Sequence, residues 1–236
     1  MKPAVLITGG ALRVGRGIAL YMAQAGFDIA LHYNTSKPQA AQTAEDIRKT
    51  GAKCQIFQAD LADASVYENL IKRAQESFPN LAALINNASV FDRGHFMESD
   101  TALYQKEFRI NFEAPVFLTQ AFAKHVKKGA VVNMVDSGVT RQVISYFFYS
   151  LSKKSLLEFT RMAARELAPG IRVNAVCPGY LLPAPGWGDD YRQQLEKTLP
   201  LGKIASVEDV AKIVAMLIQT PSLTGQVIYV DGGESL

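Results

Sequence analysis

Apolar residues are distributed along the chain in two rhythms. Short apolar runs rich in Val, Ile and Leu occur at Ala4–Ile7, Asp28–His32, Gln55–Gln58, Ala83–Ile85, Ala130–Val135, Arg172–Val176 and Val227–Val230. Between them lie longer stretches of helical period at Gly17–Gln24, Gln39–Thr50, Ser65–Glu76, Thr101–Lys127, Ser150–Leu167 and Val207–Ile218. A short apolar run suits a strand covered on both faces, and a connector of that length suits a crossover helix between parallel strands. The alternation therefore predicts an α/β fold, a Rossmann-type doubly wound parallel sheet with helices on both faces. One long irregular stretch, Pro178–Asp190, holds three prolines and three glycines. Such a loop in a compact domain is expected to serve as a lid or binding loop, and a substrate lid is expected at about 178–200.

Composition narrows the picture. At 236 residues the chain is within reach of one α/β unit, so 1–236 is expected to be a single domain. Hydrophobic residues make up 48% and charged residues 20%, enough core to fold alone. The net charge of +3, from 25 basic and 22 acidic side chains, is too small and too evenly spread for a nucleic-acid partner. It still favours anionic small molecules. Cys54 and Cys177 stand far apart with no CxxC or Cys/His cluster, so neither a disulfide framework nor a metal site is indicated, and both are expected to be reduced. The opening apolar run, Ala4–Ile7, is too short for a signal or a membrane span. The expected location is the cytoplasm, with no membrane partner.

The first strand runs into Thr8-Gly9-Gly10-Ala11-Leu12-Arg13-Val14-Gly15-Arg16-Gly17 and then a helix. Glycines there allow a tight turn and close backbone approach, while free N–H groups and the helix dipole attract phosphate. The spacing departs from GxGxxG, and a tight connection would look the same; its place after strand one is what points to a dinucleotide. The second strand ends Leu31-His32-Tyr33-Asn34-Thr35-Ser36, without the acid that usually accepts the ribose 2′-OH of NAD. A neutral, hydroxyl-rich end beside Arg13 and Lys37 suits a 2′-phosphate, so NADPH is the expected cofactor. The plainer alternative is that Arg13 points to solvent. Asp60, in Ala59-Asp60-Leu61, either contacts the adenine or caps a helix.

After the fifth strand come Asp136 and then Tyr149-Ser150-Leu151-Ser152-Lys153. Tyr and Lys at i and i+4 share a helix face, where the cation is expected to draw the phenol from its usual pKa near 10 towards working range. With the glycine turn, Asn86-Asn87-Ala88, Asn111 and Pro178-Gly179, this set resembles the short-chain dehydrogenase/reductase superfamily from Thr8 to Asp231-Gly232-Gly233. The resemblance implies that Tyr149 is the general acid, that Lys153 holds the nicotinamide ribose and tunes Tyr149, and that Asn111 supports a proton-relay water. It also implies cofactor contacts from Thr8, Gly9, Arg13, Val14, Gly15, the end of strand two from His32 to Ser36, Ala88, Ser89, Pro178 and Gly179. Asn87 would line the nicotinamide pocket, and Asp60 with Leu61 would hold the adenine.

The superfamily usually has Ser where this chain has Asp136. Asp there, in Asn133-Met134-Val135-Asp136, resembles the pteridine reductases and related dihydromonapterin reductases, as do the arginine of the glycine turn, Leu31-His32-Tyr33, and Asn86-Asn87-Ala88-Ser89-Val90-Phe91. That likeness implies a pterin substrate, with Arg13 reaching both cofactor phosphates and pterin, Phe91 stacking on the ring, and Asp136 and Tyr149 delivering the proton. Phe91 could instead plug the end of the sheet. Trp187 either closes over a flat substrate or packs, and Tyr180 with Leu181 are further pocket candidates. Lys124–Lys128 read as a solvated helix end. Apolar residues Leu156, Leu157, Phe159 and Met162 exceed one core face, and the resemblance implies a homotetramer. Three readings follow: an NADPH-dependent reductase of a dihydropterin or dihydrofolate, a carbonyl reductase such as a 3-oxoacyl reductase, and a noncatalytic NADP-binding regulator.

Overall fold

The computed structural model describes residues 2–183 and 189–236. Among the described residues seven strands form one sheet: β1 (Ala4–Ile7), β2 (Asp28–Tyr33), β3 (Cys54–Gln58), β4 (Leu81–Asn86), β5 (Gly129–Met134), β6 (Ile171–Pro178) and β7 (Val227–Val230). All pair in parallel, in the order β3-β2-β1-β4-β5-β6-β7. The helices are α1 (Arg13–Gln24), α2 (Lys37–Lys49), α3 (Val66–Ser77), α4 (Thr101–Phe108), α5 (Ala114–Val126), α6 (Phe147–Glu166), α7 (Asp189–Thr198) and α8 (Val207–Gln219). This is the single-domain doubly wound architecture expected from the apolar runs.

Strand periodicity of two divides the core cleanly. In β1, Val5 and Ile7 pack with residues of α1, α2 and α8, whereas Ala4 and Leu6 pack with residues of α3 and α5. Because the order reverses at β1, a crevice opens beyond the carboxyl ends of β1 and β4, where open α/β sheets place ligands.

Two local departures from the sequence reading matter for that crevice. The stretch Thr101–Lys127 is not one helix: a π-turn at Arg109–Glu113 separates α4 from α5, whose first turn carries Pro115. Proline has no N–H to continue the ladder, and wide turns of this kind occur often at functional sites. The expected lid also contains helix α7 from Asp189, while Trp187 falls outside the described residues. Of the surplus apolar residues on α6, Leu156 is core, Leu157 and Phe159 pack against it, and Met162 is exposed.

Beneath the crevice, polar side chains cross the sheet interior. The Asn86 amide donates to Asn133 Oδ1 at 2.8 Å, and Asn133 Nδ2 donates to Thr160 Oγ1 at 2.9 Å, with all three residues fully or almost fully buried.

Candidate active site

The glycine turn is built around contacts that only glycine permits. Gly9 has φ +62°, and a Cβ on Gly15 would lie 2.1 Å from the Gly9 carbonyl oxygen. Thr8 and Asn87 lock the turn to the end of β4. The Thr8 hydroxyl accepts the N–H groups of Asn87 (2.9 Å) and Ala88 (3.0 Å), and the Asn87 amide donates to the carbonyls of Thr8 and Gly9. Helix α1 then starts at Arg13 with no side-chain cap, so its first N–H groups face the cleft and the dipole is uncompensated. The cleft holds about 360 Å³ and is lined by Val14, Gly15, Asn34, Leu61, Ala88 and Ser89 among others.

Several expected cofactor residues have structural duties. His32 is buried, with Nδ1 accepting the Gly9 N–H at 3.1 Å and Nε2 placed 3.1 Å from the Ala59 carbonyl. Nε2 therefore carries the proton, and burial lowers the pKa to about 4. His32 lines the cleft, but it serves by holding the turn. Tyr33 belongs to the core and does not line the cleft. Asn34, Thr35 and Ser36 stand at the open end of β2, with Ser36 at the N-cap of α2 and Lys37 exposed beside it. The acid that β2 lacks arrives from the next strand: Asp60 Oδ1 accepts the Asn34 amide at 3.1 Å and the Ala62 N–H at 3.0 Å.

Arg13 departs from the expected 2′-phosphate role. Its backbone is left-handed, with φ +49°, which costs an L residue roughly 1–2 kcal/mol. Its guanidinium donates to the carbonyls of Leu182 (3.3 Å) and Pro183 (2.9 Å), beyond β6 and on the opposite half of the sheet from β2. In this structure it ties the glycine turn to the segment that leaves β6. Pro178 ends β6, and the Gly179 N–H continues the pairing to the Val230 carbonyl.

At the carboxyl end of β5, Asp136 Oδ1 accepts the Gly138 N–H at 2.7 Å and Oδ2 accepts the Tyr149 hydroxyl at 2.9 Å. Burial raises the Asp136 pKa, only partly opposed by these bonds and by Lys153. Tyr149 does not follow the expectation of a lowered pKa. Burial and the Asp136 carboxylate raise it well above its ordinary value. Lys153 lies below the phenol, Nζ 5.8 Å from the ring centre, and donates to the Met134 carbonyl at 2.9 Å. Burial brings its pKa down to about 8. Tyr149 is thus held as a proton donor.

Asn111 sits in the π-turn and is completely buried. Its amide donates to Val90 O (3.0 Å) and Glu107 Oε2 (2.6 Å), and its oxygen accepts Ser89 Oγ (2.8 Å) and Val90 N (3.0 Å). Both amide hydrogens and both lone pairs are committed, so the expected relay water has no anchor on this side chain.

Phe91 is 52% exposed, which excludes a plug of the sheet. It stacks on Tyr146 with ring centres 4.1 Å apart and meets Tyr149 edge-on at 4.6 Å. Tyr180 packs against Tyr191, ring centres 5.4 Å apart, and its buried hydroxyl has no hydrogen-bond partner among the described residues. The sequence reading passed over Tyr146, Tyr191 and Glu107. It also passed over Glu234, which accepts Ser137 Oγ (3.0 Å) and Arg141 (2.8 Å) beside Asp136. Only Tyr146 had a signal, its place three residues before Tyr149.

The site as a whole has counterparts among known proteins. The family described as enoyl-(acyl carrier protein) reductase matches residues 10–235. FolM alternative dihydrofolate reductase 1 from Brucella canis, solved in complex with NADP, is 34% identical and superposes with a TM-score of 0.93 over 99% of this chain and 94% of that one. The Brucella suis protein of the same name, also with NADP, is 34% identical with a TM-score of 0.90, covering 99% and 95%. The 3-oxoacyl-[acyl-carrier-protein] reductase FabG of Staphylococcus aureus is 30% identical over 243 residues, covering 99% of this chain and 98% of that one. Likeness of this extent, running from the glycine turn to the C-terminal tail, makes the chain a member of the short-chain dehydrogenase/reductase family.

Proposed function

We propose that this protein is an NADPH-dependent reductase that takes a pterin-type substrate, a dihydropterin or dihydrofolate, to its tetrahydro form. The observation that carries the reading is the hydrogen bond from Tyr149 to Asp136. A C=N bond accepts a proton on nitrogen as hydride reaches carbon, and a phenol backed by a carboxyl group with raised pKa is a proton source for that nitrogen. A developing oxyanion at the same place would instead meet a nearby carboxylate. The FolM likeness supports the same substrate class.

The cleft fits a dinucleotide. The uncapped N-terminus of α1 and the close approach at Gly9 and Gly15 suit a diphosphate, and the neutral end of β2 beside Lys37 suits a 2′-phosphate. NADPH, when bound, supplies the hydride. Lys153 is placed to hold ribose hydroxyls beneath Tyr149, and the exposed ring of Phe91 to stack on a flat substrate. Tyr180 Oη, buried without a partner among the described residues, is available to a substrate polar edge. Arg13 fastens the lid. A cytoplasmic homotetramer accompanies this reading, supported by exposed Phe117 on α5 and by Leu151 and Met162 on α6.

The FabG likeness favours a second reading, reduction of a 3-oxoacyl thioester. One screen separates them: dihydrobiopterin, dihydromonapterin, dihydrofolate and a 3-oxoacyl thioester, each with NADPH, followed at the cofactor absorbance. Turnover of a pterin or folate at least tenfold more efficient than of the thioester is expected. The reverse ranking overturns the proposal, and oxidation with none of them favours the noncatalytic regulator.

A further inference from the structure

Glu107 is the most deeply buried carboxylate near the site, with no solvent exposure, and no proton-transfer role falls to it. Its two oxygens take different donors: Oε1 accepts the Asp92 N–H at 2.8 Å, and Oε2 accepts the Asn111 amide at 2.6 Å. Asn111 in turn holds both the N–H and the carbonyl of Val90. Two residues beyond Asp92, Gly94 is pinned by its N–H to the Ser145 carbonyl and by its carbonyl to the Phe147 N–H, each at 3.0 Å. The backbone is therefore fastened at 90, 92 and 94, and the residues between, Phe91 and Arg93, face outward and are exposed.

We propose that Glu107 is a positioning residue that fixes the Val90–Gly94 segment, directly through Asp92 and indirectly through Asn111, and so sets how tightly Phe91 presents itself to substrate beside Tyr149. Every donor aimed at this carboxylate is an N–H, so the ionised form satisfies both. A glutamine has only one acceptor oxygen and must turn an NH2 group towards the other donor. Asn111 cannot flip to relieve it, because Val90 fixes both ends of its amide. Burial, with the neighbouring Asp92 carboxylate, raises the Glu107 pKa to about 7, against the lowering pull of the two N–H bonds, which favour its ionised form. The charged groups around it are Asp92, whose carboxylate pairs with Lys106 at 2.8 Å, and Tyr149 and Lys153 across the site.

The role in affinity rests on Phe91 being a wall of the substrate site; the clamp itself does not. Glu107→Gln and Glu107→Leu should therefore be read in two ways. In the substrate-free protein, amide exchange at Val90 and Asp92 should quicken at least tenfold in Glu107→Leu and by less in Glu107→Gln, while β4 and α6 keep wild-type protection. In turnover of whichever class the wild type reduces, KM for that substrate should rise about tenfold in Glu107→Leu and less in Glu107→Gln, with kcat and NADPH affinity within twofold. Unchanged exchange at Asp92 in both variants overturns the clamp. Quickened exchange with unchanged KM overturns the role in affinity, and a fall in kcat at constant KM assigns Glu107 to proton transfer instead. If the wild type reduces the thioester alone, the pterin reading fails while both measurements on Glu107 still decide this proposal.

Discussion

The Tyr149 hydroxyl points at the Asp136 carboxylate, 2.9 Å away; burial raises the proton affinity of both groups, the carboxylate raises that of the phenol further, and the phenol's hydrogen bond only partly offsets the rise at Asp136. The site therefore enters the reaction loaded with a proton rather than poised to accept one. Since burial raises the Asp136 pKa against the pull of its hydrogen bonds and of Lys153, the protonated form that the proposed reaction uses is lost as pH rises through that raised value, and kcat should fall on that alkaline limb. Replacing Asp136 with Asn should lower kcat by about two orders of magnitude or more, in the range of a lost general acid. A pterin-reducing Asp136→Ser variant with full activity and an unaltered pH profile would show that the carboxyl group is not needed.

Phe91→Ala should raise the pterin KM about tenfold, roughly 1.4 kcal/mol, with NADPH affinity unchanged. Loss of offset stacking accounts for about 0.5–1.5 kcal/mol of this, and lost buried area for the rest. Because Phe91 is half-exposed, its melting temperature should stay within about 2 °C of wild type, which calorimetry will read. A large drop in stability with normal pterin binding would make the ring a structural support for Tyr146.

Asn34→Asp should weaken NADPH at least tenfold and narrow its advantage over NADH. The new carboxylate would face both the 2′-phosphate and Asp60, to which Asn34 now donates. Comparable wild-type specificity constants for the two cofactors would sink the NADPH preference. Arg13→Leu provides the contrast. With its side chain committed to Leu182 and Pro183, its loss should raise substrate KM several-fold and leave the NADPH/NADH ratio within about twofold, measured by the same titrations.

His32 should make the protein acid-sensitive. Its pKa is about 6.5 unfolded and about 4 folded, so the unfolded chain takes up a proton first as pH falls. The stability present above pH 6.5 is progressively lost between about 6.5 and 4, to a total of about 3 kcal/mol. Urea unfolding at intervals over this range should show that slope, and His32→Gln should flatten it while costing stability at neutral pH through the lost bond to Gly9 or Ala59.

The sheet was legible because its strands are apolar runs, save the edge strand β3 with its two exposed glutamines, and Tyr149 with Lys153 because a helix places i and i+4 on one face. Asp136 was legible as a departure at a position where Ser is usual. Glu107 was not: in Tyr104-Gln105-Lys106-Glu107 it reads as one more charge on a solvated face, yet it is buried and bonded to the π-turn and to the 90–94 segment. Pro115 did signal the break between α4 and α5, but the apolar periodicity on either side masked it. Glu234 meets Ser137 and Arg141 across more than 90 residues, a pairing no local pattern carries. Tyr149 shifted against expectation because the i+4 rule sees Lys153 and not the depth of burial.

The Asn86, Asn133 and Thr160 side chains act as a check against misassembly. In the native alignment Asn86 lies opposite Asn133, and their amides meet within the sheet. Slipping β5 by one residue along β4 would send the two amides to opposite faces, and slipping by two would separate them by a full repeat. Either error strands polar groups in an apolar layer at about 1–3 kcal/mol each, a penalty that Val or Ile at the same positions would not impose. The chain thereby discriminates against near-native sheets in which Asn87 and Asp136, each just beyond one of these strands, would reach the cleft at the wrong separation.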